Sequence, residues 1–223
     1  MNKLEVLYKM AGAMKSKEKV AGNVKIVAKD GDKEFATITN NFEKDKVNGT
    51  MSIDAVAKAE IGELKVDKAV KKVLSMEDMH HKHHGHHGHH GHHGKCGKGK
   101  GFNKFAKLEM MFKTLNDINV SEDGENKVLE LDMKDILMKK REKFKKYHEE
   151  GHKCEHKHHD HEGMDENIKE MFKVKHAIFK ELMASDYDKV NAKVVLNKDF
   201  EIVNLEIEAL GQKSLNVKVA LNY

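Results

Sequence analysis

Residues 190–223 read VNAKVVLNKDFEIVNLEIEALGQKSLNVKVALNY. Val190, Ala192, Val194 and Leu196 alternate with other residues, as do Val203, Leu205, Ile207 and Ala209, and then Leu215, Val217, Val219 and Leu221. Successive side chains of a strand point to opposite faces, so a period of two predicts three strands. Turn signals at Asn197 to Asp199 and at Gly211-Gln212 separate them and predict an antiparallel meander with one face buried.

The same pattern recurs near the start of the chain. Val24, Ile26 and Ala28 share one face of a strand over Val20 to Lys29, and Asp30-Gly31 is a hairpin signal leading into a strand from Glu34 to Asn40. After the turn dipeptide Asn48-Gly49, the residues Met51, Ile53, Ala55, Ala57, Ala59 and Ile61 alternate as one long strand or two joined near Ala59. Before these strands, Leu4, Leu7, Tyr8, Ala11 and Met14 recur at helical spacing.

The middle of the chain reads as mainly helical. Spacings predict helices over Asp67 to Met79, through Phe105, Leu108, Phe112 and Leu115, and from an N-cap at Asp135 to about Tyr147. Asp123-Gly124 is a further turn signal, followed by Leu129, Leu131 and Met133 as a half-buried strand. The longest amphipathic helix is expected over Met164 to Met183, with Ile168, Met171, Phe172, Ile178, Phe179 and Leu182 toward the core.

Two segments interrupt this pattern. From His80 to Gly101 the chain reads HHKHHGHHGHHGHHGKCGKGKG, and from Tyr147 to Gly163 it reads YHEEGHKCEHKHHDHEG. They hold sixteen of the seventeen histidines and both cysteines. Neutral imidazole offers a nitrogen lone pair, and glycine lets paired histidines close around Zn²⁺, Ni²⁺ or Cu²⁺ at little steric cost. The candidate ligands are His80, His81, His83, His84, His86, His87, His89, His90, His92, His93 and Cys96 in the first segment. In the second they are His148, His152, Cys154, His156, His158, His159 and His161.

Their number far exceeds the four of a closed structural zinc site, which favours several labile sites. Zinc or nickel is the expected ion, with copper also within the chemistry of the donors. An affinity tag, a solvated spacer, or a polycation that charges below about pH 6.5 would have a similar composition. Cys96 and Cys154 can pair as a disulfide in an oxidising compartment or serve as thiolate ligands in a reducing one. Met76 and Met79 border the first segment, but most of the methionines sit at core-like spacings. His176 reads as a structural or surface histidine.

Composition excludes several classes. The 41 Lys+Arg and 37 Asp+Glu are interspersed, there is one arginine, Arg141, and no tryptophan, so no nucleic-acid footprint is expected. No apolar run is long enough to span a bilayer as a helix. The first residues lack an export h-region as written, so the chain is expected outside the cytoplasm if a signal has been trimmed and in the cytoplasm otherwise. None of GxSxG, GxxxxGK[ST], GxGxxG or HExxH occurs, and no enzymatic role is expected. At 223 residues, once the two inserts are set aside, one domain is the expectation, with inserts at 80–101 and 147–163.

Three passages carry a family resemblance: LEVLYKMAGAMKSKEKVAGNVKIVAKDGDKEF, VSEDGENKVLELDMKDI, and VNAKVVLNKDFEIVNLEIEALGQKSLNVKVALNY. In their order of helix, meander, helical middle and three-stranded ending they resemble the LolA-like half-barrel superfamily of bacterial envelope lipoprotein carriers, which includes the LppX/LprG-type lipoproteins. The resemblance implies an α+β fold in which a curved antiparallel sheet packs against helices, here carrying two flexible His-rich loops. It also implies a concave apolar surface able to hold a lipid or other apolar ligand, and a cell-envelope location. No catalytic residue carries over, and both His-rich inserts depart from the superfamily pattern. The His-rich segments make a non-catalytic transition-metal buffer, store or delivery protein the leading expectation, and the resemblance makes a lipid carrier gated by metal or pH the alternative; a metalloenzyme centred on the alternating His152, Cys154, His156 and His158 comes last, because no general base is identifiable.

Overall fold

In the computed structural model the described residues are 1–75, 114–149 and 166–223, with side chains of 143–149 excluded. The elements in order are α1 (Lys3–Lys15), β1 (Lys19–Asp30), β2 (Lys33–Asp45), β3 (Thr50–Ile61), β4 (Leu64–Ser75), β5 (Asn119–Asp123), β6 (Asn126–Asp132), α2 (Lys134–Glu149), α3 (Glu166–Ala184), β7 (Tyr187–Leu196), β8 (Ile202–Gly211) and β9 (Lys213–Asn222). All nine strands form one open antiparallel sheet in the order β4-β3-β2-β1-β9-β8-β7-β6-β5. The two meanders read from the sequence are therefore halves of a single sheet, joined where β1 pairs with β9.

Strand register shows how the helices are received. One row of paired residues crosses seven strands: Val66, Ala59, Ala36, Ala28, Leu215, Ala209 and Val190. Alanine is a poor strand former. Here its small side chain lets a helix approach the sheet. Val174 and Ile178 of α3 pack on Ala28, Ala36, Ala59 and Val66, while Leu182 also reaches Tyr187, Val190 and Ala209. Helix α1 covers a different part of the same face, with Val6 packed against Leu129 and Leu196.

Several helix expectations are corrected by this packing. Asp67 to Met79 is not a helix: its described part belongs to edge strand β4. Val66 and Val70 are buried four residues apart. That spacing fits a helix nearly as well as a strand, and pairing with β3 decides between them. On α1 the inward side chain is Val6, fully buried, whereas Leu4 is 61% and Tyr8 82% exposed. On α3 the buried residues are Val174, Ile178 and Met183, and Phe172 and Phe179 lie outward. Asp135 sits in the first turn of α2, and the Lys134 N–H donates instead to Asp132 Oδ1 at 2.8 Å. Of the helix expected through Phe105 to Leu115, only Thr114 and Leu115 fall within the described residues, in a helical turn over 114–117.

Local chemistry fixes the turns. Asp30-Gly31, Asn48-Gly49 and Asp123-Gly124 all place glycine at positive φ, as tight hairpins require. At the last long turn Phe200 itself takes φ 62°, a conformation costly for a residue with a Cβ. It is held by the Asn197 side chain, which accepts from the N–H groups of Asp199 and Glu201, and by packing against the cluster around Val6. Arg141 of α2, 8% exposed, pairs with Asp186 and donates to the Ala184 carbonyl at 3.4 Å. It thereby brings a cation to the C-terminus of α3, whose own last turn has none.

Asp45 closes the β2–β3 turn. Its carboxylate accepts from the Asn48 N–H at 2.9 Å and from Asn48 Nδ2 at 2.8 Å, and lies 3.0 Å from Lys19 Nζ. The Asn48 backbone bond first, then Lys19, hold its pKa at about 2. A carboxyl depressed in the folded state stabilises above its unfolded pKa, and that contribution is lost as pH falls through the folded value. The stability advantage over Asp45→Asn should be full above about pH 5 and be lost progressively from there to about pH 1, as read from urea midpoints across that range.

Candidate functional site

The inner face, on which the three long helices of the described residues pack, is apolar beyond the area that their core clusters use. Next to the alanine row runs a second: Ala57, Ile38, Ile26, Val217, Ile207, Ala192 and Leu131. A third contains Val70, Ala55, Asn40, Val24, Val219, Leu205, Val194, Leu129 and Val120. Ile26, Val24, Val217, Val219, Leu205 and Ile207 are half-buried. None of them belongs to the three core clusters of the described residues.

Gly22 lets the next row close. A Cβ there would sit 2.6 Å from the Ala220 carbonyl oxygen, 2.8 Å from Leu221 Cδ2 and 2.9 Å from Phe42 Cζ. The backbone oxygen cannot swing aside as a side chain can. Gly22→Ala should therefore destabilise by about 1–3 kcal/mol, measured by chemical denaturation.

The outer face has the opposite character. Glu130, Lys193, Glu206, Lys218 and Lys25 are paired in one row across β6, β7, β8, β9 and β1. Lys193 lies 3.8 Å from Glu130, and Lys218 lies 3.0 Å from Glu206. The hydrogen bond from Asn216, followed by Lys218, lowers the Glu206 pKa. A cleft of about 390 Å³ on this face is lined by Asn23, Lys193, Asn204, Glu206 and Lys218 among others. Its lysines are well exposed, and exposed ion pairs contribute little to stability or binding.

No protein-family model and no curated protein sequence matches this chain. The functional reading therefore rests on its own residues.

Of the predicted metal ligands, those from His80 to His93 with Cys96, and His152, Cys154, His156, His158, His159 and His161, lie outside the described residues. His148 is in the last turn of α2, which ends at Glu149. Among the described residues no three His, Cys, Asp or Glu side chains gather as a metal site. His176 is exposed on α3. Met133 packs against the cluster of Tyr187 and Val190, and Met183 is buried, which agrees with the packing role expected of most methionines.

The fold does place described residues that flank the His-rich segments. The first begins beyond Ser75, the last residue of β4, and the second leads into Glu166, the first residue of α3. Glu170, one turn into α3, lies 3.5 Å from Lys68 of β4. Ser75 thus ends the edge strand that the start of α3 contacts, whereas Glu149, before the second segment, ends α2. From the rise per residue, Ser75 is roughly 23 Å along β4 from Lys68, and Glu166 about 6 Å along α3 from Glu170. One signal that sequence reading missed is Asn40, a polar residue on the apolar face; only the strand register reveals which face it occupies.

Proposed function

We propose that the protein is a non-catalytic transition-metal binder that buffers, stores or delivers zinc or nickel, with copper as a further candidate, through its two His-rich segments. The observation that carries this reading is sixteen histidines and two cysteines concentrated in two segments. Support comes from described flanking residues: Ser75, before the first segment, ends β4, and Glu166, after the second, begins the helix that contacts β4. Chain from Ser75 to His87 can extend about 40 Å, roughly the largest separation that the β4 and α3 anchor points allow. Ligands from both segments can therefore serve one ion. Sites of this kind exchange rapidly, because many equivalent imidazoles compete for each metal. A chromogenic chelator should withdraw several zinc ions per chain within the mixing time. A single ion that resists the chelator would instead indicate one closed site and contradict the buffering role.

A second reading is a carrier of a lipid or another apolar ligand, with the sheet curled as a half-barrel and the His-rich segments as a metal- or pH-responsive gate. The half-buried inner rows outside the core clusters favour it. So does the reach of α3. A flat sheet would set β4 and β7 roughly 29 Å apart, whereas the helix axis from Glu170 to Leu182 covers about 18 Å. The Lys68 and Glu170 side chains, together with a sheet coiled toward the helix, make up the difference. This reading also follows the LolA-like resemblance.

A further inference from the structure

Helix α3 sorts its charges by face. Its acids Glu170 and Glu181 turn toward the sheet, where Glu170 lies 3.5 Å from Lys68 of β4 and Glu181 pairs with Lys213 of β9. From Met171 to Lys180 the helix carries no acid at all. Its exposed residues over that stretch are Phe172, Lys173, Lys175, His176, Phe179 and Lys180. Phe172 is 54% and Phe179 44% exposed, and at a spacing of about two turns they share one stripe with His176 between them. Each residue advances about 100° around the axis, so Lys173 and Lys180 border that stripe on one side and Lys175 on the other. Among the described residues the ion pairs of α3 use Glu170 and Glu181, and none uses these three lysines.

We propose that this face of α3 docks the protein on an anionic bilayer surface, with Phe172 and Phe179 entering the headgroup boundary and the lysines lying among the lipid anions. An aromatic stripe flanked by lysines is the layout of a helix that rests in a membrane interface. The rings bury apolar area while long, flexible stems carry the ammonium groups back to the headgroups. A protein partner fits the same face less well. Lysine is depleted in protein–protein interfaces, where ordering its stem and desolvating its charge both cost free energy. Fluid headgroups demand no fixed geometry from it. The inward pairing of Glu170 and Glu181 also removes the acids that would repel an anionic surface. Val174 and Ile178, buried against the sheet, hold the helix in place, so the face is formed before it meets a membrane. It serves a metal deliverer and a lipid carrier alike and depends on neither reading.

The test is flotation of the full chain with vesicles in EDTA, which prevents metal bridging, at about pH 7.5, where histidines are mostly neutral. Vesicles of phosphatidylcholine alone are compared with equal parts of phosphatidylcholine and phosphatidylglycerol. The anionic vesicles should bind the protein and the neutral ones should not, and salt should weaken the binding. Lys173→Gln, Lys175→Gln and Lys180→Gln together should weaken it roughly ten- to a hundredfold, and Phe172→Ser, which leaves the charge unchanged, severalfold. The same loss of charge on the outer face of the sheet, Lys25→Gln, Lys193→Gln and Lys218→Gln together, should cost less than about threefold. Equal loss in both triple variants would make the attraction a property of net charge and overturn the proposal. Binding that is absent, or indifferent to Phe172→Ser, overturns it as well. Self-association abolished by the α3 variants, without vesicle binding, would give the face to a second copy of the chain and overturn it too.

Discussion

Lowering the pH from about 7.5 to about 5.5 should weaken zinc binding by roughly a thousandfold for a site built from three imidazoles. A histidine of ordinary pKa, about 6.5, is mostly neutral at the upper value and mostly protonated at the lower one. Its lone pair is then occupied, and each coordinating imidazole contributes about a factor of ten. Cysteine ligands steepen the dependence, because a thiol must also lose its proton to bind. Zinc affinity measured by chelator competition across this interval checks the prediction. A change below tenfold would assign the binding to carboxylates, which stay ionised throughout that range.

Leu196→Ala should cost the fold about 3 kcal/mol, within a range of roughly 2–5 kcal/mol for burying and then deleting a leucine side chain. Leu196 is fully buried and is among the largest such side chains. It joins α1 to the sheet by packing with Val6 and Leu129, and half-buried Leu7, Met10, Ile118, Phe200 and Ile202 surround that cluster. The register shift between Val195 and Leu196 sets it at an irregularity in the β7–β8 pairing. Strands fixed on both sides restrict how far the site can collapse around a cavity. The fall should appear in the urea midpoint without a large change in slope. A loss under about 1 kcal/mol would mean that α1 contributes little to the stability of the sheet.

The strands were legible where a period of two was unmixed. Val190 to Leu196 and Leu215 to Leu221 combine β-branched residues with strict alternation, and both are strands with near the expected limits. Val66 and Val70 of β4 fit either period, and the lysines around them carry no face signal of their own. Those lysines blunt an exposed sheet edge, a tertiary role invisible to a local pattern. The inward faces of α1 and α3 were only partly legible for a similar reason: Leu7, Ile178 and Leu182 pack inward as expected, while Tyr8, Phe172 and Phe179 lie outward. Each helix offers two apolar stripes, and only the shape of the alanine row and the Leu196 cluster selects Val6 over Tyr8 and Val174 over Phe172.

Candidate site chemistry divides the same way. Histidine density is a property of composition and needs no fold to be seen. Asn40 is unremarkable in FATITNN until pairing with Val24 and Ala55 assigns it to the inner face. The joining of β1 to β9 likewise has no sequence signature, since an exposed edge can pair with any complementary edge.

The most direct test of the metal-binding account is a titration of reduced, metal-free protein with Zn²⁺, Ni²⁺, Cu²⁺ and Cu⁺, beside a variant lacking residues 80–101 and 150–161. Starting the second deletion after Glu149 leaves α2 whole. Several equivalents bound in the micromolar range or tighter by the full chain, and lost from the variant, is the predicted result. At most one equivalent, or binding unchanged by the deletions, would contradict it.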